Sequence, residues 1–90
     1  MAEHVSTRPA VQTFAQLMER ELRENDRKGG WQQMKIDWLL KRLRQEVDEL
    51  EAALKSNDIA NIEAECADVG NFAMMVADNA RTKIELYGEL

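Results

Sequence analysis

Apolar side chains recur every three or four positions along most of the chain, the period of a helix buried on one face. Val11, Phe14, Met18 and Leu22 make the first row, with Ala15 and Leu17 beside it. Ser6-Thr7-Arg8 ahead of Pro9 suits a capped start with proline in the first turn, and Gly29-Gly30 is a strong stop. This predicts helix 1 over Pro9–Asp26. The second row is stricter: Ile36, Leu40, Leu43, Val47, Leu50 and Leu54 alternate steps of four and three, a heptad seam. It predicts helix 2 over Met34–Lys55, ended by Ser56-Asn57-Asp58, which also offers a cap to the next element. Ile59, Ile62, Cys66, Val69, Ala73, Val76 and Ala80 form the third row, helix 3, over Ile59–Arg81 with an extension to Tyr87 left open. Gly70 within it costs about 1 kcal/mol against alanine, a position suited to close packing. No strand signal, repeat or low-complexity tract interrupts the pattern. The expected fold is all-α. Helices 2 and 3 form an antiparallel hairpin, helix 1 joins it, and the whole assembles into a four-helix-bundle-like oligomer.

Size and charge change this picture in a few places. Ninety residues make one domain, 1–90, with 1–8 expected to be flexible and His4 without a role. A core this small supplies only about 3–5 kcal/mol unassisted. Cys66 is the only cysteine, so no disulfide within the chain braces it. Self-association as a homodimer or homotetramer is the remaining source of buried area. The net charge of −5 disfavours a nucleic-acid or membrane-surface binder, since both call for a basic face. It is compatible with a phosphorylated small molecule if a divalent cation stands between ligand and protein. Met1–Arg8 carries no apolar core of a secretory signal, and no apolar run approaches the roughly 18–20 residues of a membrane span. The expectation is a soluble, cytoplasmic protein.

The acidic residues hold the candidate chemistry. Glu46 and Glu49 stand three apart on helix 2, and Glu65 and Asp68 repeat the spacing on helix 3. Residues at that spacing share a helix face, where like charges repel by a few tenths of a kcal/mol. Ordinary surface carboxylates usually have a basic residue three or four positions away, as Glu19 has Arg23, Asp48 has Arg44 and Glu51 has Lys55. Of the four, only Glu46 does, through Arg42. Glu21 and Glu63 also lack such partners, so the missing neighbour does not by itself mark a site. In an antiparallel hairpin the two pairs meet at similar height beside the apolar rows. Four half-buried anions are too costly to keep bare, and become reasonable around a hard cation such as Mg²⁺ that wants oxygen ligands. The competing reading is a solvated acidic face on a Glu-rich hairpin.

The double motif Glu46-Val-Asp-Glu49 and Glu65-Cys-Ala-Asp68 resembles the MazG-like family of all-α nucleoside triphosphate pyrophosphohydrolases. The flanks "WLLKRLRQEVDELEAAL" and "AECADVGNFAMMVAD" are similar too, and the likeness runs from about Phe14 to Asp78. It implies Mg²⁺-dependent cleavage of a (d)NTP between the α- and β-phosphates. Mn²⁺ would be an admissible substitute. Glu46, Glu49, Glu65 and Asp68 would be the metal ligands and catalytic residues, with Glu49 favoured to activate the water. Trp31 and Phe72 are candidates to stack on a base, against core packing. Asn71 is placed to hydrogen-bond base or sugar. Lys35 and Lys83 are candidates for phosphate contact across a subunit interface, against plain solvated cations, and Arg81 reads as a solvated cation.

Trp38 reads as core or interface, the methionines as packing, and Cys66 as a small buried hydrophobe. Many members of the family carry a fourth helix. Here only Arg81–Leu90 remains, which leaves that wall to a partner subunit or to a longer helix 3. A different class of function also fits the pattern: a non-catalytic helical interaction or nucleotide-binding module that uses the heptad seam of helix 2.

Overall fold

The computed structural model of the chain describes residues 4–90, and all regular structure among them is helical. α1 spans Pro9–Asn25, α2 Ile36–Leu54 and α3 Ile59–Tyr87, with a 3₁₀ turn at Asp26–Lys28 following α1. Of the expected flexible start, 1–3 lie outside the described residues, and 4–8 are exposed without regular structure.

The helix ends follow from local chemistry. No side chain caps α1: Arg8 occupies the cap position without a side-chain hydrogen bond, and Pro9, pre-set for the first turn, defines the start. α2 begins two residues later than the periodicity predicts. The Met34 N–H donates to the Trp31 carbonyl at 2.9 Å, so Met34 closes a turn instead of opening the helix. α3 starts as expected. The Asp58 carboxylate accepts from the N–H groups of Ala60 and Asn61 at 3.1 and 3.4 Å. Asn57 just before it takes the left-handed conformation, φ 55°, which asparagine tolerates. The long option for α3 is realised, and Gly88 closes it at φ 82°.

The heptad of α2 is half used. Ile36, Leu43 and Leu50 are half-buried, but Leu40, Val47 and Leu54 are 38, 47 and 57% exposed. The residues one position earlier, Leu39, Glu46 and Ala53, are buried in their place. α2 packs on α3 and not on α1, so one neighbour covers a narrower stripe, turned by about one residue from the seam. Two consequences follow. An apolar row stays at the surface, and a glutamate occupies a core position. α3 differs from expectation in the same manner: Ile59 is exposed, while Ala67, Asn71 and Asn79 are buried.

Gly70 has the close-packing role expected of it. A Cβ there would lie 2.8 Å from the Phe14 ring and 3.3 Å from the Met18 sulfur of α1. Gly70→Ala is expected to destabilise the chain by roughly 1 kcal/mol. Overpacking costs about 1–3 kcal/mol, and the better helix propensity returns about 1. Urea denaturation measures it, and an unchanged or higher midpoint would show that α1 yields freely.

Candidate metal centre

α1 and α2 both rest on α3 but not on each other. The space between them is a cleft of about 730 Å³. Asp68, Asn71 and Phe72 of α3 form its floor, Glu21 stands on the α1 side, and Arg42 and Glu46 stand on the α2 side. The Gly29–Trp31 segment borders it as well.

Glu46 projects from the displaced core stripe of α2 and is only 5% exposed. One carboxylate oxygen each from Glu46, Glu49 and Glu65 lies within 4.8 Å of the other two. Three of the four expected ligands therefore converge. Asp68 does not join that group, although it borders the cleft beside Glu46 and its charge is felt there. The burial within the group is graded: Glu46 is buried, Glu65 half-buried and Glu49 exposed.

Neither Glu46 Oε2 nor Glu65 Oε2 is reached by solvent, and neither has a hydrogen-bond partner. An ionised carboxylate oxygen buried without a donor carries its full desolvation penalty. The Arg42 guanidinium answers neither demand, because it donates to the other Glu46 oxygen, Oε1, at 2.8 Å. A donor set made wholly of carboxylate oxygens suits Mg²⁺ or Mn²⁺ and not softer metals. The residues fit a hard divalent cation.

The same crowding moves the protonation equilibria. Burial, then the neighbouring Glu49, raises Glu46 to about 7. Burial, then the charges of Glu21 and Glu65, raises Asp68 to about 6. Glu65 is raised by burial and by Glu49 and Glu21. From the ordinary values of 4.5 and 3.8 up to these, the folded chain binds more protons than the unfolded one. This stabilisation is complete below the ordinary values and is lost as pH rises through about 6 to 7. The metal-free protein is thus expected to be more stable at pH 5 than at pH 8, by about 1.4 kcal/mol per pH unit for each extra proton held. Denaturation in EDTA across that range checks it, and a flat profile would mean that the carboxylates do not crowd.

The cleft gathers most of the expected substrate-side residues. Trp31 is half-buried at its border. Its indole N–H donates to Asp78 at 2.9 Å, and its carbonyl accepts from the buried Asn79 amide at 2.9 Å. Asn79 also holds the Met34 carbonyl, at 3.1 Å, so α3 straps the Trp31–Met34 turn in place. Phe72 lies under Arg42, whose guanidinium carbon is 4.9 Å from the ring centroid. One ring face is therefore already covered by a cation. Asn71 is buried, donates to the Met18 carbonyl at 3.0 Å, and leaves its Oδ1 without a partner. Lys35 and Lys83 are exposed and do not border the cleft, and Arg81 is exposed as expected. Trp38, 46% exposed, borders the cleft mouth.

Four contributors escaped the periodicity. Arg42 was visible only as the basic neighbour of Glu46. Asp78 and Asn79 gave no signal, because their partners lie more than forty residues away in the chain. Glu21 had one trace, its lack of a basic neighbour. No described helix is long and apolar enough to cross a membrane. Comparison of the chain with family models, with curated proteins and with solved structures finds no match.

Proposed function

We propose that the chain is a Mg²⁺-dependent nucleoside triphosphate pyrophosphohydrolase of the MazG-like kind, working as a homo-oligomer. The observation that carries this reading is the pair of buried, unpartnered oxygens on Glu46 and Glu65, within a convergent set of carboxylates beside a cleft of ligand size. Glu46, Glu49, Glu65 and Asp68 would hold the cation. Bound there, it would neutralise the triphosphate and make water more acidic.

The chain's own residues supply the rest. Glu49, at the exposed edge of the group, takes the proton of the water that attacks the α-phosphorus. The bond to the bridging oxygen breaks, and pyrophosphate leaves with the electron pair. Arg42 offsets negative charge next to Glu46. The half-buried Trp31 ring, its N–H held by Asp78, offers a face to a base. Phe72 contributes through the Arg42 plane stacked on it and not through a bare ring. Incubation with each NTP and dNTP, with Mg²⁺ and with EDTA, tests the reading by pyrophosphate release. Release from at least one substrate that EDTA abolishes is the expected result.

The exposed row Leu40, Val47 and Leu54 favours a second role for α2, as a surface for another subunit. Only Leu39, Ala53 and Ala67 are buried apolar residues among those described. The radius of gyration is 14.6 Å, against roughly 12 Å for a compact chain of this length. Both support the reading of a fold completed by its own copy. Sedimentation at micromolar concentration is expected to give a dimer or larger, and a stable folded monomer would contradict it.

A further inference from the structure

We propose that Arg42 of α2 binds the α-phosphate of the substrate, and so grips both the nucleoside triphosphate and the nucleoside monophosphate left after cleavage. The inference rests on the nucleotide reading above and assigns a residue that belongs neither to the acidic pairs nor to the cations expected to reach phosphate.

Arg42 borders the cleft, and Lys28 is the other basic residue on that border. Lys35 and Lys83, the expected phosphate contacts, are not on it. The Arg42 guanidinium is held from several sides. The Phe72 ring backs it, with 4.9 Å from the guanidinium carbon to the ring centroid. Its Nη2 donates to Glu46 Oε1 at 2.8 Å, and its Nη1 donates to Gln45 Oε1. Arginine carries five N–H donors, so three have no partner among the described residues. They are not sealed off, because the side chain is 31% exposed. A fixed, permanently charged fork with free donors suits a phosphate. Glu46 accepts from Arg42 through Oε1 alone, which leaves Oε2 to a cation. The ion pair therefore does not compete with the metal reading.

The phosphate in question follows from position along the cleft. Trp38, Arg42 and Glu46 all border it and stand four apart on α2. They share a face and advance by about 6 Å per step. The order on α3 is alike: Asp68, then Phe72, then Asp78, which holds the Trp31 N–H. One end of the cleft is thus aromatic and the other acidic, with Arg42 on Phe72 between them. A nucleotide with its base at Trp31 and its outer phosphates at the carboxylates sets its α-phosphate opposite Arg42. Attack at the α-phosphorus builds charge on the oxygens of that phosphate, where a fixed cation stabilises it most.

Equilibrium dialysis of the full chain in Mg²⁺ tests this, with ribose and deoxyribose nucleoside 5′-monophosphates and inorganic pyrophosphate as probes. Wild type is expected to bind pyrophosphate and at least one monophosphate. Arg42→Gln is expected to weaken that monophosphate by about tenfold or more, the loss of hydrogen bonds to a charged group, while pyrophosphate binds as to wild type. Arg42→Lys should restore only part of the monophosphate affinity, because it keeps the charge without the fork. It also carries the comparison if circular dichroism shows Arg42→Gln to be unfolded. Arg44→Gln, exposed on the same helix and off the cleft, removes the same charge and should behave as wild type. Full monophosphate affinity in the Arg42 variants, equal weakening of pyrophosphate, or the same loss in Arg44→Gln would overturn the proposal. So would a wild type that binds pyrophosphate and no monophosphate. Absence of binding of every probe to wild type would instead overturn the nucleotide reading, and this inference with it.

Discussion

Glu49→Gln and Asp68→Asn are each expected to lower pyrophosphate release by at least about 100-fold while leaving helicity unchanged. Each swap keeps the side-chain shape and removes one negative charge. Glu49 is exposed at the edge of the carboxylate group, so its loss opens no cavity. Asp68 is raised to about 6 by burial and by surrounding acids, so the neutral amide relieves repulsion in the metal-free fold. Both variants should therefore melt at or slightly above wild type in EDTA. A loss of activity that tracks a loss of folded protein would count against the ligand role. So would near-full activity in either variant, which is what a solvated acidic face predicts.

The residues show why part of this was legible in the sequence. Three helices and their order followed from periodicity. The Asp58 cap and the packed Gly70 followed from residue chemistry alone, because each depends on neighbours close in the chain or on the size of one side chain. The buried face of α2 did not follow. A heptad marks which residues are apolar, but which of them are covered depends on how many helices surround the seam. With α3 as its only neighbour, α2 turned Glu46 inward and left Val47 outside. That turn was invisible in the pattern, and it is what places a buried carboxylate in the site. The acidic pairs were legible because a repeated three-residue spacing puts charges on one face. The places of Glu21, Asp78 and Asn79 were not, because they depend on where α1 and the Trp31 turn come to rest against α3. The α2 start shifted for a related reason, since the Trp31–Met34 turn is strapped by Asn79.

Divalent cations are expected to raise the melting temperature by much more than their ionic strength explains. The metal-free fold carries the mutual repulsion of Glu46, Glu49 and Glu65, with Asp68 beside them, and the Oε2 atoms of Glu46 and Glu65 lack any partner. Unfolding separates these groups, so a cation held by them would bind the folded state selectively. Linkage then stabilises the fold by RT ln(1 + [L]/Kd), about 2.7 kcal/mol at one hundred times Kd. A domain of this size gains about 4–8 °C per kcal/mol, so the rise should reach about 10 °C or more. The direct test is a pair of melting curves at pH 7.5, one in MgCl₂ and one in NaCl of matched ionic strength. A Mg²⁺-specific rise that disappears in Glu65→Gln is the expected result. Identical midpoints in the two salts would contradict the metal centre.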